Sequence, residues 1–270
     1  QVATSSISPG ANQTATYYPG LKNKKIGLVV NHTSTIGQKL SVDSLLAAGF
    51  LPSKIFAPEH GFRGESSNGA SIANNIDEKT GIPIISLYGK YLKPSAADLN
   101  GLDLVIFDIQ DVGARFYTYI STLHYVMEAC AENNIPLLVL DRPNPNGFYV
   151  DGPVLEPAFK SFIGMHPVPI VYGMTIGEYA QMINGEKWLK DGIQCNLNVI
   201  PVANYAHKDC YTLPIKPSPN LNSQQAILLY PSLCLFEGTI ISQGRGTYQP
   251  FQVLGAPALE GKFSYAFSPK

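Results

Sequence analysis

The sequence predicts an α/β protein built on a mostly parallel sheet. Three observations carry this. Short, near-continuous apolar runs recur between about residues 24 and 143, the form taken by strands buried on both faces. Segments of helical period lie between some of them, an alternation that belongs to parallel sheets. Each run ends in proline, glycine or a polar residue, so it is too short for a core helix.

The elements follow in order. KKIGLVVN (24–31) reads as the first strand, and SVDSLLAAGF (41–50) as a short amphipathic helix with Ser41 as its cap. KIFAP (54–58) and IPIISLYG (82–89) are the second and third strands, and LDLVIFDIQ (102–110) is the fourth and most apolar. Leu123, Val126, Met127 and Cys130 recur at helical spacing within 116–134, the longest helical pattern. IPLLVLDRP (135–143) is a fifth strand, stopped by Pro143. The stretch 142–157 is rich in Pro, Gly and Asn and reads as a crossover, which suggests a division into 1–150 and 151–270. Beyond it come a helix over 175–185, with Thr175 and Glu178 in capping-box positions, and a strand near 195–202. A proline-rich loop (213–223) and the segments 226–239 and 241–251 complete the chain, which shows no internal repeat.

Composition narrows the classes of function. With 45% hydrophobic and 14% charged residues in 270, the chain has the makings of an ordered core. Nineteen basic and twenty acidic residues leave a net charge of -1 with no basic stripe, so nucleic acid is not the expected partner. No apolar run reaches the roughly 18 residues of a membrane span. The polar amino end is compatible with a signal already removed. None of the four cysteines forms a C-x-x-C pair. Cys130 and Cys234 lie in apolar runs, and Cys195 and Cys210 are near enough in sequence for a disulfide, two inert thiols being the alternative.

Parallel sheets bind ligands beyond the carboxyl ends of their strands. Asn31, Glu59-His60, Asp108-x-x-Asp111 and Asp141-Arg142 each follow a strand. Four separate segments thus deliver polar groups to one rim. Glu59, between Phe56 and Phe62, suits a general acid, or else is a structural partner for Arg63. Asp108 and Asp111, with Arg115 close behind, read as hydroxyl binders or a second catalytic acid, or as a local ion pair. Glu237 ends the run CLFEGT, and Arg245 stands between two glycines in SQGRGT, an exposed fork suited to a carboxylate. Tyr88, Tyr91, Tyr117 and Tyr119 are placed to stack on sugar rings, core packing being the alternative. His32, His60 and Asp108 make a possible metal set without H-E-x-x-H or H-x-H spacing, so no metal is expected. No G-x-G-x-x-G, P-loop or G-x-S-x-G appears, so no cofactor is expected either.

FAPEHGFRG, GIPIISLYG, LVIFDIQDVGARFYTYISTL, VLDRPNPNG, DGPVL, PSPN, YPSLCLFEGT and GRGT with QPFQVLGAP resemble, in this order, the NamZ-type exo-β-N-acetylmuramidases (DUF1343), from about Lys24 to Pro257. HYVMEACAENN is similar to the Bacteroidetes branch. The resemblance implies a Rossmann-like domain followed by a smaller α+β domain, with the site in the cleft between them. It implies release of terminal β-1,4-linked N-acetylmuramic acid from the non-reducing end of peptidoglycan fragments, in cell-wall recycling. It places Glu59 at the catalytic position, with a second carboxylate among Glu237, Asp108 and Asp111 unless the substrate's acetamido group attacks. It makes Asn31, His60, Arg63, Asp111, Arg115, Tyr119, Arg142, Asn144 and Arg245 lining residues. Arg245 and Arg63 are the first choices for the lactyl carboxylate. Such a substrate implies an exported protein, periplasmic or at the cell surface. Family members continue past the segment matching FSYAFSPK, so a shortened carboxyl-terminal half is expected. A non-catalytic muropeptide binder and a metal-dependent amidase or deacetylase are the competing readings.

Overall fold

The computed structural model describes residues 6–59, 61–63 and 75–269. Its strands are β1 (Ile26–Val30), β2 (Thr35–Ile36), β3 (Lys39–Leu40), β4 (Lys54–Ala57), β5 (Asn75–Ile76), β6 (Pro83–Ser86), β7 (Leu104–Asp108), β8 (Leu137–Leu140) and β9 (Leu197–Ile200). Its α-helices are α1 (Thr14–Tyr17), α2 (Ser41–Ala47), α3 (Ala96–Leu99), α4 (Tyr119–Glu132), α5 (Ile176–Gly185) and α6 (Gln224–Leu233). Seven strands form one sheet in the order β5-β6-β4-β1-β7-β8-β9. All neighbours are parallel except the short edge strand β5. The chain winds from β1 through β4 to β6, returns to β7, and winds the other way to β9. This is the doubly wound order, and it reverses between β1 and β7. The α/β reading holds, and β9 extends the sheet beyond residue 150, where composition suggests a division.

The apolar runs are buried because each strand feeds two cores. Val29, Phe56, Val105, Phe107, Leu137 and Val139 face one side with α4, α5 and α6. Ile26, Leu28, Val30, Ile55, Leu104, Ile106, Leu138 and Leu140 face the other, with α2 and the segment Ala11–Leu21. The period-2 alternation of a strand therefore persists with both sides apolar. Gly27 shows how tight the first core is, since a Cβ there would stand 2.8 Å from Leu102 and 3.0 Å from the Phe56 ring.

Of the two helix caps read from the sequence, one is present and one is not. Thr175 Oγ1 accepts from Glu178 N (3.2 Å), and the Glu178 carboxylate accepts from Thr175 N (2.8 Å), which makes the expected capping box. Ser41 does not cap α2. It is the first helical residue after Leu40, and its N–H donates to the Ser34 carbonyl (2.8 Å). Ser223 caps α6 instead, accepting from Ala226 N. Pro231 lies inside α6 and cannot donate to the carbonyl four residues back. Asn146 Nδ2 supplies that missing donor at Ile227 O (3.2 Å).

A ribbon-like excursion leaves the body between β8 and α5. Asp151 pairs with Val171, Leu155 N donates to Val168 O (3.2 Å), and Ser161 pairs with Gly164 at the tip. Arg115 staples its two arms, donating to Pro153 O (2.7 Å), Val168 O and, through its own N–H, Ile170 O (2.8 Å). Ser121 Oγ donates to Phe162 O (2.6 Å), which ties the tip to α4.

Candidate active site

The sheet's reversal point, where doubly wound proteins usually bind ligands, is filled by the chain itself. Asn31 Oδ1 accepts from Thr33 N and Oγ1 (2.9 and 2.6 Å), and Thr33 Oγ1 accepts from Gln110 N (3.1 Å). Ser34 Oγ donates to the Asp108 carbonyl, and Gln110 Nε2 donates to Asp111 O and Pro143 O. Arg142 Nε donates to Asp108 Oδ1 (2.6 Å) and Nη2 to Thr35 O (3.0 Å). Every one of these residues is buried. The rim residues do converge, as read from the strand ends, but here they form a polar plug rather than a lining.

The open cleft lies to one side, with a volume of about 220 Å³. Glu59 reaches it from the end of β4 and Tyr88 from beyond β6. Phe116, Tyr117 and Thr118 come from the turn before α4, and Phe162 and Ile163 from the ribbon tip. Ser218, Asn220 and Leu221 come from the proline-rich loop. Tyr230, Glu237, Arg245 and Phe251 close it from α6 onward. The half-buried Glu59 carboxylate accepts from Thr118 Oγ1 at Oε2 (3.2 Å), and its carbonyl accepts from Tyr119 OH (3.5 Å). Burial and then the neighbouring Glu59 carboxylate push the Tyr88 phenol upward, so Tyr88 stays a protonated donor beside it.

Five residues singled out from sequence therefore share the cleft: Glu59, Tyr88, Tyr117, Glu237 and Arg245. Tyr119 stands just behind, its ring edge-on to Tyr117. Asn31, Asp108 and Arg142 belong to the plug. Asp111 is buried, takes donors from Tyr172 OH and Gly113 N, and is pushed up to about 6 by desolvation that those donors only partly offset. Asn144 brackets Met174 O and Asn146 N and lies so close over Gly113 (φ +78) that no side chain fits there. Arg63 makes a two-pronged pair with buried Asp77, both contacts 2.8 Å. Arg115 holds the ribbon. His60 lies outside the described residues.

The contributions of Thr118, Phe162 and Ile163 carried no sequence signal. That of Ser218 and Asn220 had only the proline spacing of PSPN. Of the set His32, His60 and Asp108, His32 Nε2 meets Lys216 O (2.8 Å), Asp108 Oδ1 is taken by Arg142, and His60 lies outside the described residues. Among the described residues no three His, Cys, Asp or Glu are grouped to hold a metal. All four cysteines are free thiols, Cys195 buried and Cys210 exposed. A second cavity of about 280 Å³ lies by Asp141, Glu178 and His207. Its acids are already occupied. Asp141 accepts from Gly177 N, Thr175 Oγ1 and Arg142 N at the start of α5, and Glu178 accepts from His207.

The chain matches two family models. Residues 26–225 fit that of the exo-beta-N-acetylmuramidase NamZ N-terminal domain, and residues 228–267 that of its C-terminal domain. It is 45% identical over 251 residues to the peptidoglycan beta-N-acetylmuramidase NamZ of Bacillus subtilis (strain 168), covering 90% of this chain and 60% of that protein. The chain thus spans about three fifths of the length of the curated relative it matches. Two DUF1343 family crystal structures from Bacteroides fragilis NCTC 9343 are similar throughout. One shows 52% identity and a TM-score of 0.90, over 98% of this chain and 71% of the other. The second shows 35% identity and a TM-score of 0.86, over 95% and 67%.

Proposed function

The chain belongs to the NamZ exo-β-N-acetylmuramidase family, and from that premise we propose that it is a glycosidase acting on peptidoglycan fragments. It removes a terminal β-1,4-linked N-acetylmuramic acid from the non-reducing end, a step of cell-wall recycling. The observation that carries this reading is the meeting of two carboxylates, Glu59 and Glu237, and one guanidinium, Arg245, in a single cleft.

Each group has a part in the reading. Glu59 protonates the glycosidic oxygen as its bond to the anomeric carbon breaks. Thr118 and Tyr88 both offer hydroxyl donors to this carboxylate and hold it in the cleft. Glu237 is the second carboxylate and serves the anomeric side of the reaction. Asp108 and Asp111, the other candidates, are buried away from the cleft, which favours Glu237. Arg245 takes the lactyl carboxylate that distinguishes muramic acid from glucosamine. Arg63 is the weaker choice because both its prongs are engaged by Asp77. Phe116, Tyr117 and Phe162 supply apolar faces for the ring and methyl groups. Peptidoglycan lies outside the cytoplasmic membrane, so the protein works after export, in the periplasm or at the cell surface.

The test is hydrolysis of a chromogenic β-N-acetylmuraminide beside the matching glucosaminide, with the full-length protein. The expected result is release from the muraminide, cut by about 10²–10⁴ in Glu59→Gln with the thermal midpoint unchanged. Binding of intact muraminide without release would replace the enzyme reading with that of a binding protein.

A further inference from the structure

Arg245 is built to stay in one place. Gly244 and Gly246 flank it with φ of +77° and +79°, left-handed backbone that favours glycine. Thr247 N and Oγ1 both donate to Gly244 O, and Gly244 N donates to Ser242 Oγ. Behind the guanidinium, 5.1 Å away, lies the ring of buried Phe251. Phe251 has φ +53°, uncommon for an aromatic residue, and is held by Phe251 N to Gln243 O (2.7 Å) and by the edge of Tyr230. A strained, braced support under a cation points to a ligand for that cation.

The cation already has a carboxylate. Arg245 Nε (3.2 Å) and Nη2 both donate to one oxygen, Glu237 Oε1. A guanidinium fork is matched better by the two oxygens of one carboxylate. Both side chains are more than a third exposed, 39% and 36%, so water and salt weaken the pair. It is suited to exchange.

We propose that Glu237 is a placeholder on Arg245. The carboxylate of the substrate takes its position, and the exchange turns Glu237 toward the reacting sugar. A sugar without a carboxylate leaves Glu237 where it is. Selectivity for the carboxylate is thus expressed in turnover as well as in affinity. The inference rests on the function proposed above and deepens it.

The test is calorimetric binding of free N-acetylmuramic acid and N-acetylglucosamine, with kcat and KM for the two chromogenic glycosides. Full-length wild type, Glu237→Gln and Arg245→Gln are compared in enough salt to screen general charge repulsion. Glu237→Gln should bind N-acetylmuramic acid about fivefold tighter, the inverse of an exposed pair's hold, and N-acetylglucosamine as before. Its kcat on the muraminide should fall while KM also falls. Arg245→Gln should bind the two sugars alike. A wild type that cleaves the muraminide, paired with a Glu237→Gln that binds N-acetylmuramic acid no tighter, overturns the exchange alone. A wild type that binds neither sugar and cleaves neither glycoside overturns the functional reading and this inference with it.

Discussion

Two arginine–carboxylate pairs do opposite work in this molecule. Arg142–Asp108 sits at the reversal point of the sheet, 5% and 1% exposed. Arg245–Glu237 sits on a glycine loop at the cleft, 39% and 36% exposed. The chemistry of the two contacts is the same and the surroundings decide the outcome. Deep in the fold neither partner has water to fall back on, so losing one strands the other. At the cleft each partner can be rehydrated, so the contact is replaceable. The difference separates a rivet from a latch, and it can be measured.

The largest effect should come from Asp108→Ala. It strands Arg142 and should cost about 3–5 kcal/mol, lowering the thermal midpoint by on the order of 10 °C. A loss no greater than that of Glu237→Ala would break the comparison. Arg115→Ala removes two side-chain donors from the ribbon and should cost about 2 kcal/mol. Faster hydrogen exchange at Asp151 and Leu155 would place the loss there, and unchanged exchange would remove the staple from the account.

Asp111→Asn tests the buried side by its pH dependence. The folded carboxyl lies at about 6, above the ordinary 3.8, because burial favours its neutral form. Its stabilising contribution is full below the unfolded value and is lost as pH rises through the folded one. The stability gap between variant and wild type should therefore narrow from about pH 4 to about pH 7. His124 and His166, which burial pushes down to about 4 and about 3, respond in the opposite sense. They lose stability as pH falls below the ordinary imidazole range, but they do so in both proteins and cancel in the difference. The smallest effect belongs to Glu237→Ala, within about 1 kcal/mol and shrinking with added salt.

Much of this architecture can be read in one dimension. Strands such as β1 and β7 are buried at every position and apolar at nearly every one because both cores demand it, and the sequence carries that directly. Glu59 could be found because it follows a strand. Glu237 and Arg245 each stood out, one by ending an apolar run and one by its glycines, yet nothing in the spacing joined them to Glu59. The fate of Asp108 was hidden for a different reason. It ends β7, and Arg142 follows β8; whether the two meet depends on strand order, which no local period encodes. The same holds for Phe162 and Ile163, which reach the cleft only because the ribbon folds back, and for Arg115, whose carbonyl partners lie 38 and 53 residues away.

The ribbon has a consequence for how this scaffold can change. It departs and returns at one place, where Val171 bridges both Asp151 and Ala114. Its interior contributes no strand to the sheet, while its tip supplies one wall of the cleft. Met165, His166 and Val168 of the returning arm are buried against the body, so it is the outer part, residues 156–163, that behaves as a cassette. A longer or differently tipped version grafted onto the same stem would reshape what the cleft admits, and the doubly wound body beneath would keep its winding.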